Sequence, residues 1–180
     1  MAQATTLKLG DVAPGFSLPG VDGKTYRLED FSSVKALCVI FMCNHCPYVK
    51  ATIDRIIAIQ RDYTGKGAQV IGINSNETVN HPEDSFDQMV QWAKEKSFNF
   101  PYLRDDSQDT ARAYGAERTP HIFLFDAQRK LRYTGAIDDN TKEPANAKRH
   151  YLREAIDALL AGQPVKEAET HAIGCTVKWA

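Results

Sequence analysis

Two cysteines separated by two residues are the part of the sequence best suited to chemistry. Cys43 and Cys46 lie in the run FMCNHCPYVK, where an apolar strand-like segment gives way to isoleucines at helical spacing. A thiol at the start of a helix meets the partial positive charge of unpaired backbone N–H groups, which lowers its pKa. Because the thiolate is the nucleophile in disulfide exchange, the spacing predicts a redox-active pair that forms a Cys43–Cys46 disulfide.

Neighbouring residues of the same loop are expected to support this pair. His45 stands between the cysteines, and as a cation it would lower the pKa of a nearby thiol and favour the reduced pair. The alternative for His45 is a solvated loop residue. Asn44 shares the loop, and Pro47 suits the first turn of a helix, where no N–H is needed. This interpretation gives Cys43 the more exposed position and the lower pKa, with Cys46 one turn inside.

The two other cysteines leave further functions open. Cys38 lies in the apolar strand and is expected to be an inert core residue. Cys175, near the end of the sequence, is either a surface thiol on a loose terminus or an accessory thiol with a resolving or substrate-like role. With His171 and the C-x-x-C pair it could also complete a tetrahedral zinc site. The favoured interpretation assigns no metal and no cofactor.

Composition limits the classes of partner. The 180 residues carry 22 basic and 23 acidic side chains, so nothing in the charge balance indicates nucleic acid or an anionic membrane as a partner. No apolar run approaches the roughly 20 residues of a membrane span, and the N-terminus shows no secretory signal pattern. Four cysteines, two of them as C-x-x-C, favour redox chemistry in a reducing compartment, so a cytoplasmic location is expected.

Alternating strand and helix patterns surround the cysteines and must position them. The sequence predicts hairpins at 16–18 with 26–28 and at 121–125 with 131–135, strands at 36–42, 69–74 and 100–103, and helices at 46–62, 81–96, 108–114 and 147–160. This order implies an α/β protein with a mixed sheet and helices on both faces.

A C-x-x-C at a helix start, Thr119-Pro120 before a later hairpin and a closing helix together resemble the thioredoxin fold. The lead-in LGDVAPGFSLPG, the CNHCPYV run and the GCTVKW tail resemble a peroxiredoxin-like group related to the AhpC/TSA family. The resemblance covers nearly the whole chain. It implies a single thioredoxin-like domain at 1–180, with three α/β/α layers around a mixed central sheet, an N-terminal hairpin extension at 1–34, a core at 35–162 and a C-terminal tail at 163–180. It also implies a cis Thr119–Pro120 bond, with the proline ring beside Cys43.

The sequence departs from both patterns that it resembles. In the peroxiredoxin pattern the attacking cysteine aligns with Cys46, but Cys43 takes the place of the threonine before it and Arg118 does not match the expected arginine. These two groups help to polarise the O–O bond, so fast peroxide reduction is not expected. In the thioredoxin pattern the buried acid falls on Leu37, so proton transfer to the second thiol must use water, His45 or no evident group.

The predicted function is an enzyme, a thiol–disulfide oxidoreductase. In this hypothesis the Cys43 thiolate attacks a protein or small-molecule disulfide, Cys46 resolves the mixed disulfide, and an external dithiol restores the pair. The alternative is a weak thiol-dependent peroxidase, in which Cys46 becomes a sulfenic acid and Cys43 or Cys175 condenses with it. A zinc-binding protein and an inert thioredoxin-like interaction module are the alternatives that are not enzymes.

Overall fold

A mixed five-stranded sheet forms the centre of the protein, in a computed structural model that describes residues 6–180. The strands are β1 Ser17–Pro19, β2 Thr25–Arg27, β3 Ala36–Phe41, β4 Ala68–Asn74, β5 Tyr102–Arg104, β6 Arg118–Thr119, β7 His121–Phe125, β8 Leu131–Gly135 and β9 Cys175–Thr176. The helices are α1 Pro47–Tyr63, α2 Phe86–Lys96, α3 Asp109–Tyr114 and α4 Tyr151–Leu160. The central order is β5-β4-β3-β7-β8, with β7 and β8 antiparallel to their neighbours and β3, β4 and β5 parallel.

Apolar layers cover both faces of this sheet. β3 is buried along its whole length, because its alternate side chains point into opposite layers. One layer joins its even-numbered side chains to Ile53 and Ile56 of α1 and to Leu152 of α4. The other joins its odd-numbered side chains to Tyr114 of α3 and to Phe16 beside the N-terminal hairpin of β1 and β2. The predicted three-layer α/β/α architecture with a mixed sheet and an N-terminal hairpin is therefore confirmed.

Most differences from the predicted elements lie at helix starts. The helix expected at 81–96 is divided, because Ser85 has extended backbone between a 3-10 turn at Pro82–Asp84 and α2, where its hydroxyl accepts from the N–H of Gln88. The helix expected from 147 begins at Tyr151, after a 3-10 turn at Pro144–Asn146. Of the predicted extension at 1–34, residues 1–5 lie outside the described residues. Within residues 6–180, none of the helices has the length and apolar character that crossing a membrane requires.

The sheet brings two distant segments to the C-x-x-C loop. This loop leaves the end of β3, and α1 begins at Pro47 with Cys46 as its N-cap residue. β7 runs antiparallel to β3 with His121 opposite Phe41, so the residues just before β7 lie beside the residues just after β3. Thr119 therefore reaches the loop through backbone topology.

Candidate active site

The two cysteines of the motif are buried, reduced and in contact with Thr119. Cys43 is 1% exposed and Cys46 is 0% exposed, and both are free thiols. Cys43 Sγ lies 3.5 Å from Thr119 Oγ1, and the Cys46 thiol donates to the Thr119 carbonyl oxygen at 3.3 Å. The Thr119–Pro120 bond is cis, as the resemblance implied, and Pro120 is buried. Thr119 therefore contacts both sulfurs, one through its hydroxyl and the other through its carbonyl oxygen.

The electrostatic environment favours a thiolate at Cys46 and a thiol at Cys43. A hydrogen bond from Cys43 lowers the pKa of Cys46 to about 4 against the opposing effect of burial, with further hydrogen bonds from Cys175 and from the Val49 backbone. The same contact between the two cysteines raises the pKa of Cys43, and so do burial and the charge of Asp84. Both thiols are buried, so the structure does not make Cys43 appreciably the more exposed of the two, and the pKa shifts run opposite to the expected order. Cys46 is the N-cap residue of α1, and the Val49 backbone in the first turn is one of the causes that lower its pKa.

Asp84 is a buried carboxylate at this site that the sequence patterns did not single out. It is 0% exposed and accepts hydrogen bonds from the Asn44 N–H at 2.7 Å and from the side-chain amides of Asn74 at 3.2 Å and Asn76 at 3.0 Å. Potential ligand atoms of Cys43, His45 and Asp84 all lie within 4.8 Å of one another. Asp84 thus places a buried acid beside the pair, although the thioredoxin position for such an acid holds an apolar residue.

His45 lies against Asp84 and not between the two sulfurs. Its Nδ1 is 2.5 Å from Asp84 Oδ2 and 3.7 Å from Glu83 Oε1, and its ring stacks on His81 with centroids 5.5 Å apart. The side chain is 24% exposed, so one part of the ring meets the carboxylate and another part meets solvent. The contact that the structure shows for His45 is with the acid, and its expected role as a cation between the cysteines stays a prediction.

Asn44 and Pro47 fix the shape of the loop. The Asn44 side chain donates to the Glu83 carbonyl at 2.9 Å and accepts from the Tyr102 hydroxyl at 2.7 Å, which ties the loop to β5 and to the turn before α2. Pro47 is the first residue of α1, as predicted. The two residues hold the loop that carries the cysteines and make no hydrogen bond to either sulfur in the contacts described.

The C-terminal tail places a third thiol at the site. β9 pairs antiparallel with β6, and this register puts Cys175 opposite Thr119. Cys175, through its side chain and its backbone, is one of the causes that lower the pKa of Cys46. Of the two alternatives for Cys175, the loose surface thiol is therefore wrong, since the residue is partly buried against the core cluster that contains both cysteines of the motif.

The structure also bears on Cys38 and on the zinc site that would include His171. Cys38 is 1% exposed, and burial raises its pKa, which is the behaviour of an inert core thiol. His171 is exposed. The group with metal-ligand character in the described part of the chain consists of Cys43, His45 and Asp84, so the zinc set that included His171 is not assembled.

A dithiol at the start of a helix that follows a central strand, with a Thr–cis-Pro segment packed on it, defines a thioredoxin-like thiol oxidoreductase. Residues 9–134 match the AhpC/TSA family, and the chain belongs to that family.

Its relatives include both kinds of enzyme that the sequence suggested. The thiol-disulfide oxidoreductase ResA of Geobacillus thermodenitrificans (strain NG80-2) is 23% identical over 130 residues, which cover 72% of this chain and 70% of ResA. Peroxiredoxin Bcp of Escherichia coli (strain K12) is 26% identical over 109 residues, 61% of this chain and 65% of Bcp.

Two solved structures share the fold over nearly the full chain. A conserved protein from Geobacillus kaustophilus has a TM-score of 0.91 and 40% identity, and the alignment covers 99% of this chain and 96% of that one. A protein from Sinorhizobium meliloti 1021, SMc02350, has a TM-score of 0.91 and 38% identity, with 100% and 99% covered. The similarity therefore extends through the C-terminal tail as well as the thioredoxin-like core.

Proposed function

We propose that the protein is a thiol–disulfide oxidoreductase whose redox pair is Cys43 and Cys46. The observation that carries the proposal is the geometry of the dithiol, in which two free thiols at the start of α1 both contact Thr119 of the Thr119–cis-Pro120 segment. Hydrogen bonding from Cys43 lowers the pKa of Cys46, which favours Cys46 as the nucleophile. The similarity to ResA supports disulfide exchange as the reaction type.

In the proposed cycle Cys46 attacks first, which reverses the order expected from the sequence. The Cys46 thiolate attacks a substrate disulfide, a Cys46–substrate disulfide forms, and one substrate thiolate leaves. Cys43 then attacks the Cys46 sulfur, the Cys43–Cys46 bond forms, and the second substrate thiolate leaves and is protonated. The substrate gains the two electrons that the cysteines lose, and an external dithiol returns the pair to its reduced form.

Asp84 is the proposed base for the second step. Cys43 must lose its proton before it attacks, and the Asp84 carboxylate lies within 4.8 Å of its sulfur without contact to bulk water. His45, with Nδ1 2.5 Å from this carboxylate and part of its ring exposed, provides a route for the proton to solvent. In the reverse direction the same two residues would return a proton to Cys43.

The proposal also includes a class of substrate and a cellular compartment. A polar groove of about 340 Å³ lies beside the loop, with Asn44, His45, Lys50 and Glu83 in its lining and neither cysteine among the lining residues. The proposed substrate is a protein or small-molecule disulfide, and because both sulfurs are buried, the loop must move for the substrate to reach them. Four free cysteines suit the reducing conditions of the cytoplasm, where a dithiol reductant is present.

Weak peroxide reduction is the second candidate function. The lowered pKa of Cys46, caused first by the Cys43 hydrogen bond, and the similarity to Bcp favour it. In that reaction the Cys46 thiolate attacks a peroxide, water or an alcohol leaves, and the sulfenic acid condenses with Cys43 and releases water. The Thr119 hydroxyl lies against Cys43, so it is not directed at a peroxide held on Cys46.

Parallel reactions with hydroxyethyl disulfide and hydrogen peroxide test the assignment. The reduced protein should form a Cys43–Cys46 disulfide with release of mercaptoethanol, faster than hydrogen peroxide oxidises it, as followed by peptide mapping and thiol release. Cys46→Ser should abolish adduct formation, whereas the matched control Cys38→Ala, which changes a thiol buried in the core, should react like wild type. Fast sulfenic acid formation at Cys46 with slow disulfide exchange would replace the proposal by the peroxidase. A Cys46 that reacts with neither reagent would exclude both functions.

A further inference from the structure

The end of the chain crosses back over the redox pair. β9 adds to the edge of β6, so Cys175 lies opposite Thr119, whose carbonyl oxygen accepts from Cys46 at 3.3 Å. Gly174 passes so close to the Thr119 carbonyl that a Cβ at this position would collide with it. The backbone of the tail and the backbone that holds Cys46 are therefore in direct contact.

The residues that follow Cys175 also make contacts that hold them to the domain. The Lys178 carbonyl oxygen accepts from the Glu77 N–H at 2.9 Å. The Trp179 ring lies under the guanidinium of Arg112, whose central carbon is 4.5 Å from the ring centroid. Because contacts lie on both sides of Cys175, its backbone is held opposite Thr119, and its side chain packs against the core cluster that contains Cys46.

The charges around Cys175 change when Cys46 reacts. Burial, a hydrogen bond to Cys46 and the charge of Cys46 raise the pKa of Cys175 to about 11, and the charges of Lys178 and Arg118 act in the opposite direction. Two of the three raising causes depend on a thiolate at Cys46. Once Cys46 is part of a disulfide it carries no charge, and the two cations then favour the thiolate of Cys175. Cys175 thus gains thiolate character at the moment when Cys46 needs a resolving partner.

We propose that Cys175 is a second resolving thiol, so that Cys46 can end in a disulfide with either Cys43 or Cys175. This proposal rests on the function proposed above, which supplies the Cys46–substrate disulfide. Cys175 attacks the Cys46 sulfur, the Cys46–Cys175 bond forms, the bond to the substrate sulfur breaks, and the leaving thiolate takes up a proton in place of the one that Cys175 released. The substrate gains two electrons and the two cysteines lose them, with no further oxidant. The product links the tail covalently across the site and leaves Cys43 reduced.

The test uses the full chain with Cys43→Ser, which removes the other resolving thiol. After reduction, the variant is treated with hydroxyethyl disulfide, its remaining thiols are alkylated in acid-quenched samples, and its disulfides are mapped by mass spectrometry. We expect a Cys46–Cys175 disulfide and loss of the mercaptoethanol adduct. The matched double variant Cys43→Ser/Cys175→Ser should keep the adduct on Cys46. An adduct that stays on Cys46 while Cys175 remains free in the single variant would overturn the proposal.

A backbone variant and the wild type complete the test. Gly174→Ala in the Cys43→Ser background adds a methyl group where the tail meets Thr119, so the Cys46–Cys175 bond should form about tenfold more slowly. An unchanged rate would contradict the strand-held geometry on which the proposal depends. Wild type treated in the same way separates the two proposals. A Cys43–Cys46 disulfide in wild type with no Cys46–Cys175 bond in the variant overturns only the role of Cys175, whereas an unmodified Cys46 in both proteins overturns the proposed function as well.

Discussion

Replacing Asp84 by asparagine should lower the pKa of Cys43. The hydrogen bond to Cys46, burial and the charge of Asp84 raise this pKa, and Asp84→Asn removes the third cause with little change of shape. At the 4.8 Å limit of the cluster, a carboxylate and a thiolate repel each other by about 3.5 kcal/mol with an effective dielectric constant of about 20. At pH values below the pKa of Cys43, loss of this repulsion in Asp84→Asn corresponds to a roughly 300-fold larger thiolate fraction at Cys43.

The measurement is a pH titration of thiolate ultraviolet absorbance in a Cys46→Ser/Cys175→Ser background, where Cys43 is the remaining thiol of the site. Glu83→Gln is the matched control, because Glu83 Oε1 lies 3.7 Å from His45 but its side chain is 45% exposed and solvent screens its charge. The control should leave the titration of Cys43 nearly unchanged. Circular dichroism and thermal unfolding of each variant report whether the loop that Asp84 holds is intact.

An unchanged or raised midpoint in folded Asp84→Asn would refute the electrostatic argument. It would mean that the carboxylate does not act on Cys43 through its charge, and the proposed role of Asp84 as the base for this thiol would then lose its support. An equal shift in Glu83→Gln would instead show that the general negative charge of this segment is responsible and not the buried position of Asp84.

Three further predictions concern Cys43, His121 and Tyr102. The hydrogen bond from Cys43 lowers the pKa of Cys46 to about 4, so the rate of reaction of wild type with hydroxyethyl disulfide should be nearly independent of pH above about pH 5. In Cys43→Ala the pH at which this rate rises should be higher. Burial lowers the pKa of His121 from 6.5 to about 4. Between pH 4 and 6.5 the unfolded state therefore binds more protons than the folded state. The free energy of unfolding should fall as the pH is lowered through this interval. His121→Gln should flatten that fall in urea titrations at several pH values, and a steeper fall would contradict the assignment. Tyr102→Phe removes the 2.7 Å hydrogen bond to Asn44 and the 3.3 Å hydrogen bond from Asn74. It should lower the free energy of unfolding by about 1 kcal/mol, and an unchanged value in urea titrations would contradict this.

The parts of the site that depend on local sequence could be predicted. β3 is an uninterrupted apolar run, and the start of α1 follows from Pro47 and the isoleucine spacing, so the position of the C-x-x-C between strand and helix was predictable. The cis bond before Pro120 was implied by the resemblance to the thioredoxin fold and is confirmed. These features depend on short stretches of chain, where residue preferences are strong enough to select the conformation.

The contacts between distant segments could not be predicted. Asp84 reaches the site through the Asn44 N–H, 40 residues away, and that distance in sequence leaves no periodic pattern to detect. β6 and β9 have two residues each, too few for strand alternation to appear. The direction of the two thiol pKa shifts could not be predicted either, because it depends first on the contact between Cys43 and Cys46 inside the folded loop.

The segment Gly174 to Ala180 has a practical consequence for work with this protein. The Ala180 N–H donates to the Gln108 side chain at 3.0 Å, so this segment stays attached to the domain as far as residue 180. A tag fused directly after Ala180 would act on that contact, so redox measurements should be compared between tagged and untagged protein. A truncation just before Gly174 would remove seven residues and with them the strand that lies opposite Thr119.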